Sequence, residues 1–204
     1  MNKNSVALRA ADIAECAIFV ALMVAGAYIK IPFPFMPLTF QTAFAILAGL
    51  LLGWKKGMIA MAAYAVMGLA GVPVFTTGGG IFYVTLPSFG YILGFIACAG
   101  VAGLSFTKYS KLWQIILFSF AALITDYAFG VAYFAAVWVI TGNAGLGGAI
   151  VSYNLIYLPK DAVLTALAAF LAAAVAPAIK KMHGKSGGAR KGGAQKNSQD
   201  NKAK

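Results

Sequence analysis

A chain of 204 residues that is 61% hydrophobic and only 10% charged is not an ordinary water-soluble domain, where charged residues make up about a quarter. The formal net charge of +11 raises nucleic acid as a partner, but the Lys and Arg residues lie beside apolar runs and in a terminal tail, where the lipid bilayer and membrane topology account for them. Composition therefore leaves an integral membrane domain, over residues 1–182, and excludes a nucleic-acid binder.

Six segments are apolar and long enough to predict crossings of a ~30 Å hydrocarbon core. The first runs from about Asp12 to Ile29. It blends into the N-terminal residues without a cleavage pattern, so it is expected to be retained. Ala17, Ala21 and Ala25 recur every four residues on it and form one smooth stripe. Such a stripe serves close packing inside the bundle or docking of another membrane protein. The connection from Lys30 to Phe40 leads to the second span, 41–53, and Lys55 and Lys56 join it to the third, 57–69. Both of these spans are short, so their ends are expected to extend into flanking residues.

The next connection, Gly71 to Pro87, reads GVPVFTTGGGIFYVTLP. Thr76, Thr77, Gly78, Gly79 and Gly80 offer hydroxyls and backbone amides that can approach a ligand closely. No Lys-Ser or Lys-Thr follows the glycines, so this is no phosphate loop and the chain is not expected to bind ATP. Phe75, Phe82 and Tyr83 can wall an apolar ring or sit at the membrane interface. The fourth span covers 88–106 and the fifth 112–140, with Asp126 about halfway along it. A carboxylate at that depth costs on the order of 3 kcal/mol, so a ligand or a structural partner must account for it.

A third uncharged connection, Thr141 to Asp161, precedes the sixth span, 161–179. Pro159, Lys160 and Asp161 read as a helix start, with Asp161 as its cap. Residues 183–204 are rich in Gly, Lys, Gln and Asn and predict a basic, disordered tail. Cys16 and Cys98 lie inside spans and read as small apolar side chains, and His183 stands alone, so no metal set is expected.

With six crossings, every Lys and Arg except Lys30 and Lys160 falls on one side. The positive-inside rule makes that side the cytoplasm and puts both termini there. The inner connections are then short and basic. The outer ones are longer, nearly uncharged, and rich in Gly, Pro and aromatics, as in the lining of a mostly apolar pocket.

PFMPLTFQTAFAILAGLLLG (Pro34 to Gly53), GVPVFTTGGGIFYVTLPSFGYILGF (Gly71 to Phe95), YLPKD (Tyr157 to Asp161) and the Asp126-Tyr127 pair followed by Gly130 together resemble the BioY family, from about Asp12 to Ile179. That family comprises biotin-specific S components of energy-coupling factor (ECF) transporters. The resemblance implies an all-α bundle of six transmembrane helices in the cell membrane of a bacterium or archaeon. It implies a biotin pocket near the outer surface, a transmembrane coupling component docking on Ala17, Ala21 and Ala25, and two partner ATPases that use the ATP. It leaves open whether the coupling module is needed.

The resemblance also assigns site residues. Asp161 matches the family's acidic residue after the Pro and suits the ureido N–H donors of biotin; a charge-assisted bond of this kind is worth about 1.5–3 kcal/mol. The family often has a Lys one turn later. Leu164 stands there, and Lys160 is the nearest substitute. Gln41 can meet the ureido group, and Thr76, Thr77 and loop amides, Gly79 among them, can hold the carboxylate. Phe75, Tyr83, Tyr91 and Tyr157 can pack on the rings, with Asp126 a further candidate contact.

No catalytic motif competes, so no enzyme is expected; an aspartate pair from Asp126 and Asp161 would have to bring its carboxylates together. A binding component for another vitamin and a stand-alone biotin transporter are the alternatives.

Overall fold

The computed structural model describes residues 10–30, 39–108 and 111–175. The regular elements among these residues are helices: α1 Ala10–Tyr28, α2 Gln41–Leu52, α3 Trp54–Leu69, α4 Phe89–Lys108, α5 Leu112–Ile140, a short α6 Leu146–Tyr153, and α7 over residues 158–175. Three helical runs, Ala10–Tyr28, Leu112–Ile140 and Leu146–Val175, are long and apolar enough to cross a membrane alone; α2 and the 89–105 stretch of α4 are shorter apolar helices. The expected tail lies outside the described residues, as do residues 31–38.

α2 and α3 form a hairpin with a single linking residue. Gly53 sits at φ 82°, a left-handed value that other residues adopt at a cost. Its N–H donates to the Gly49 carbonyl and its carbonyl accepts from Gly57. The chain doubles back, so Gln41 at the start of α2 meets Tyr64 well along α3. A methyl on Gly49 would lie 2.3 Å from the Ala99 carbonyl, and one on Gly103 2.2 Å from the Trp54 nitrogen. The inner end of α4 therefore wedges into the hairpin bend.

α4 is the central helix and packs against α5, α2 and α3. Ala45, Ala48, Cys98, Ala99 and Ala102 are fully buried along these contacts. In lipid, where apolar surface gains little by leaving its solvent, small residues of this kind let helices approach to van der Waals distance. Ala168, Ala169 and Ala172 do the same on α7. Large side chains such as Ile124, Val66 and Phe170 point outward, as lipid contact requires.

α1 starts at Ala10, and α3 starts at Trp54, in the residues flanking the 57–69 segment. The connection before α7 holds α6, stacked on α5 through Phe134, Trp138 and Tyr153. α7 begins at residue 158, so Asp161 lies about one turn inside it and is not its cap. The cause is Pro159: proline fits the first turn, where its missing N–H is no loss, and the helix starts before it.

The two ends of the bundle carry opposite chemistry. At the inner end Lys56 pairs with Asp12 (2.7 Å) and Glu15 (2.9 Å), tying α3 to α1. At the other end two lysines bond to carbonyls: Lys30 to Thr76 O and Lys160 to Thr39 O, each at 2.6 Å.

Candidate functional site

The end of the bundle away from the Lys56 ion pairs holds a cleft of about 650 Å³, counting the part that opens to solvent. Its walls come from several elements: Thr39, Gln41 and Thr42 at the start of α2, Tyr64 of α3, Phe75, Thr76 and Tyr83 of the following connection, residues of the Ser88 to Phe95 stretch, Tyr127 of α5, and Tyr157, Lys160 and Asp161.

The 71–87 connection builds the apolar wall. Phe75 and Gly78 exchange backbone hydrogen bonds in a tight turn, and Gly78 holds φ at 124°. The turn drives the Phe75 ring inward against Gly68, where it is 1% exposed. Tyr64 meets that ring edge-on (5.4 Å, 74°) and Tyr83 meets it at a tilt (4.4 Å, 49°). A short 3-10 turn, Ile81–Thr85, then swings Tyr83 in and Phe82 out. Phe82 is 83% exposed and is not among the lining residues, which leaves the second of its two readings, an aromatic at the membrane interface.

Polar groups along this wall are already paired. Gln41 Nε2 donates to the Tyr64 hydroxyl (2.6 Å), which donates to the Val74 carbonyl (3.0 Å). The Thr76 and Tyr83 hydroxyls share a hydrogen bond of 2.9 Å. Two further bonds hold the loop down: Tyr28 to the Pro73 carbonyl and Tyr133 to the Val84 carbonyl.

The charged corner lies opposite. The Tyr127 hydroxyl donates to Asp161 Oδ2 at 2.7 Å. Lys160 Nζ sits 2.7 Å from Asp161 Oδ1, off the hydrogen-bonding direction, so Oδ1 forms an ion pair but no hydrogen bond. A buried acceptor in that condition is costly unless something else meets it. Tyr91 stands beside this corner with its ring edge-on to Tyr127 (5.6 Å, 87°) and its hydroxyl on Asn154 Oδ1 (3.0 Å).

Of the residues singled out in the sequence, Gln41, Phe75, Thr76, Tyr83, Tyr91, Tyr157, Lys160 and Asp161 converge on this cleft. Thr77, Gly79 and Asp126 are not among its lining residues. Thr77 is exposed at the tip of the turn. Gly79 is there for fit: a methyl would lie 2.2 Å from the Val72 carbonyl. Asp126 is fully buried behind the wall, where Thr42, which does line the cleft, donates to its Oδ2 at 3.1 Å. Its other oxygen packs on Gly94, where a methyl would come within 2.3 Å. Tyr64, Thr42 and Tyr127 are wall residues that sequence reasoning missed. Gln41 and Tyr64 lie at nearly equal distances on either side of Gly53, and a hairpin at that glycine is the one signal that would have paired them.

Ala17, Ala21 and Ala25 are exposed along α1, together with Ala14. Within the described residues the stripe lies on the exposed side of α1.

The model for the family described as "BioY family" matches residues 1–181. The chain belongs to the BioY family. Relatives agree with it. A putative biotin transporter BioYB of Bacillus subtilis is 35% identical over 188 residues, covering 87% of this chain and 93% of that protein. A probable biotin transporter BioY of Lysinibacillus sphaericus is 44% identical over 119 residues, a match spanning 57% of this chain and 61% of the relative. The biotin transporter BioY of Thermotoga maritima is 39% identical over 118 residues, 57% of this chain and 70% of that one. Among solved structures, the fold is similar to the S-component for biotin from an ECF-type ABC transporter, with a TM-score of 0.70 and 23% identity over 86% of this chain and 94% of the other. This BioY-family chain is thus an all-helical membrane protein with the bundle of an ECF S component.

Proposed function

We propose that the chain binds biotin in the outer cleft and takes it up as the substrate-specific component of an ECF-type transporter. The observation that carries this reading is the Lys160–Asp161 corner facing an aromatic wall. A ureido edge presents an N–H beside a C=O. Lys160 and Asp161 present a donor beside an acceptor, so the two edges are complementary. Lys160 swings from the Thr39 carbonyl to the ureido oxygen as Asp161 Oδ1 accepts the ring N–H. The apolar ring lies among Phe75, Tyr83 and Tyr91, and Tyr157 closes the far side. The valerate carboxylate reaches toward the Thr76 hydroxyl, next to Lys30.

Asp126 and Asp161 each take a different hydroxyl donor, Thr42 and Tyr127, which supports a binding role over an aspartate-pair catalyst. Both termini lie in the cytoplasm, in a multi-pass plasma-membrane protein of a bacterium or archaeon. The chain itself holds no cofactor. ATP is used by two partner ATPases, coupled through a transmembrane component. The direct test is to purify the chain in detergent, identify the retained small molecule by mass spectrometry, and titrate the stripped protein with biotin. Saturable one-to-one binding is the expected outcome; a stripped, folded protein that ignores biotin refutes the reading.

The exposed Ala17, Ala21 and Ala25 stripe is the proposed docking face for the coupling component. Ala21→Trp, a bulky side chain on an outward position, is expected to leave biotin affinity within about twofold while co-purification with the coupling component is lost. Full assembly of that variant would remove the stripe from the interface.

A further inference from the structure

We infer that Tyr127 is a positioning residue for the ligand, acting through Asp161; the inference rests on the biotin reading above. The phenol crosses from α5 to α7, and its hydroxyl gives its proton to Asp161 Oδ2 at 2.7 Å, with both side chains buried. A carboxylate has two equivalent oxygens and turns freely unless one is held. Tyr127 holds Oδ2. That leaves Oδ1, without a hydrogen bond, as the single acceptor beside Lys160.

The phenol is itself held in place through Tyr91. Its ring meets Tyr91 edge-on. Tyr91 is seated in the notch left by Gly130, where a methyl would lie 2.4 Å from its ring, and its hydroxyl is bound by Asn154 just ahead of α7. α4, α5 and the chain entering α7 thus fix the plane of one carboxylate. Chemically, the corner offers one acceptor next to one ammonium. It fits an edge with a donor beside an acceptor and rejects one that presents donors only. With the phenol hydroxyl removed, Asp161 has a second free acceptor and that selectivity falls.

The test is Tyr127→Phe, which keeps the ring against Tyr91 and removes only the hydroxyl. Binding of biotin and of 2-iminobiotin, whose protonated imine replaces the ureido carbonyl with further N–H donors, is titrated on the full chain in detergent. Biotin affinity is expected to fall roughly tenfold or more, the scale of a lost hydrogen bond to a charged group. The ratio of biotin to 2-iminobiotin affinity is expected to fall by about the same factor in a protein that still folds, with a lower melting temperature from the lost buried hydrogen bond. Equal weakening of both ligands, or no weakening, overturns the inference, because a merely structural tyrosine leaves the ratio alone. Tyr91→Phe, which frees the neighbouring ring from Asn154, is the second variant should the first not fold; it is expected to lower the same ratio less, and an unchanged ratio there overturns the inference as well. Wild-type protein that binds no biotin refutes the proposed function itself, whereas wild-type binding with an unaltered Tyr127→Phe ratio refutes only the role of Tyr127.

Discussion

Asp161→Asn is expected to weaken biotin binding about a hundredfold, with membrane insertion and fold intact. The carboxylate stands in a buried corner with one oxygen on Tyr127 and the other facing Lys160. An amide of the same shape can still accept from the phenol, so the packing survives. What is lost is the negative charge that balances Lys160 and the charge-assisted bond to a ligand N–H. Hydrogen bonds to charged groups contribute about 1.5–3 kcal/mol, which is roughly a ten- to hundredfold change, and an uncompensated ammonium in the cleft adds to it. Calorimetric titration of wild type and variant in the same detergent measures the difference. Affinity within twofold of wild type would take Asp161 out of the site.

Gly68→Ala is expected to damage both stability and binding. The added methyl would lie 2.1 Å from Cζ of Phe75 and 2.3 Å from Cε1, far inside contact distance. The ring has no slack, since it is 1% exposed and caught between Tyr64 and Tyr83. It moves only by pushing the 75–78 turn outward or by entering the cleft. Overpacking of this type costs about 1–3 kcal/mol, and a displaced wall weakens the ligand roughly tenfold or more. Gly148→Ala in α6 is the control, because a methyl there meets nothing within 4 Å. Melting temperature and biotin affinity are expected to fall for the first substitution and hold for the second. A Gly68→Ala protein that melts and binds like wild type would mean that Phe75 does not seat on Gly68.

Some features of the fold and of the cleft are legible in the residues and others are not, for physical reasons. α5 coincides with the predicted 112–140 because a long apolar run set off by Lys111 and Gly142 leaves little freedom. The start of α7 was misplaced because Asp161 looks like a cap, while the proline two residues earlier already fits a first turn. α6 was missed because Gly147 and Gly148 argue against a helix that packing on Trp138 nonetheless supports. In the cleft, Asp161 and Lys160 stood out because charge is rare at such depth. Tyr64 and Tyr127 did not, because a tyrosine in an apolar helix reads as lipid-facing or core, and only a partner 23 or 34 residues away gives its hydroxyl a purpose. Thr77 and Gly79 lie outside the cleft lining because side-chain direction in a tight turn follows φ values that residue types alone do not reveal.

The two outward lysines have a wider consequence. In the proposed orientation Lys30 and Lys160 are the positive charges that break the inward bias, and both end on backbone carbonyls of residues that line the cleft, Thr76 and Thr39. A bundle that orients itself by keeping cations off its external surface has few to devote to catching an anionic solute. Adding lysines around the rim to speed capture would erode the asymmetry that tells the insertion machinery which way up the protein goes. Improvement of the binding face is therefore confined to neutral donors, and the hydroxyls of Thr76, Tyr83 and Ser88 are the kind of group that such a constraint favours.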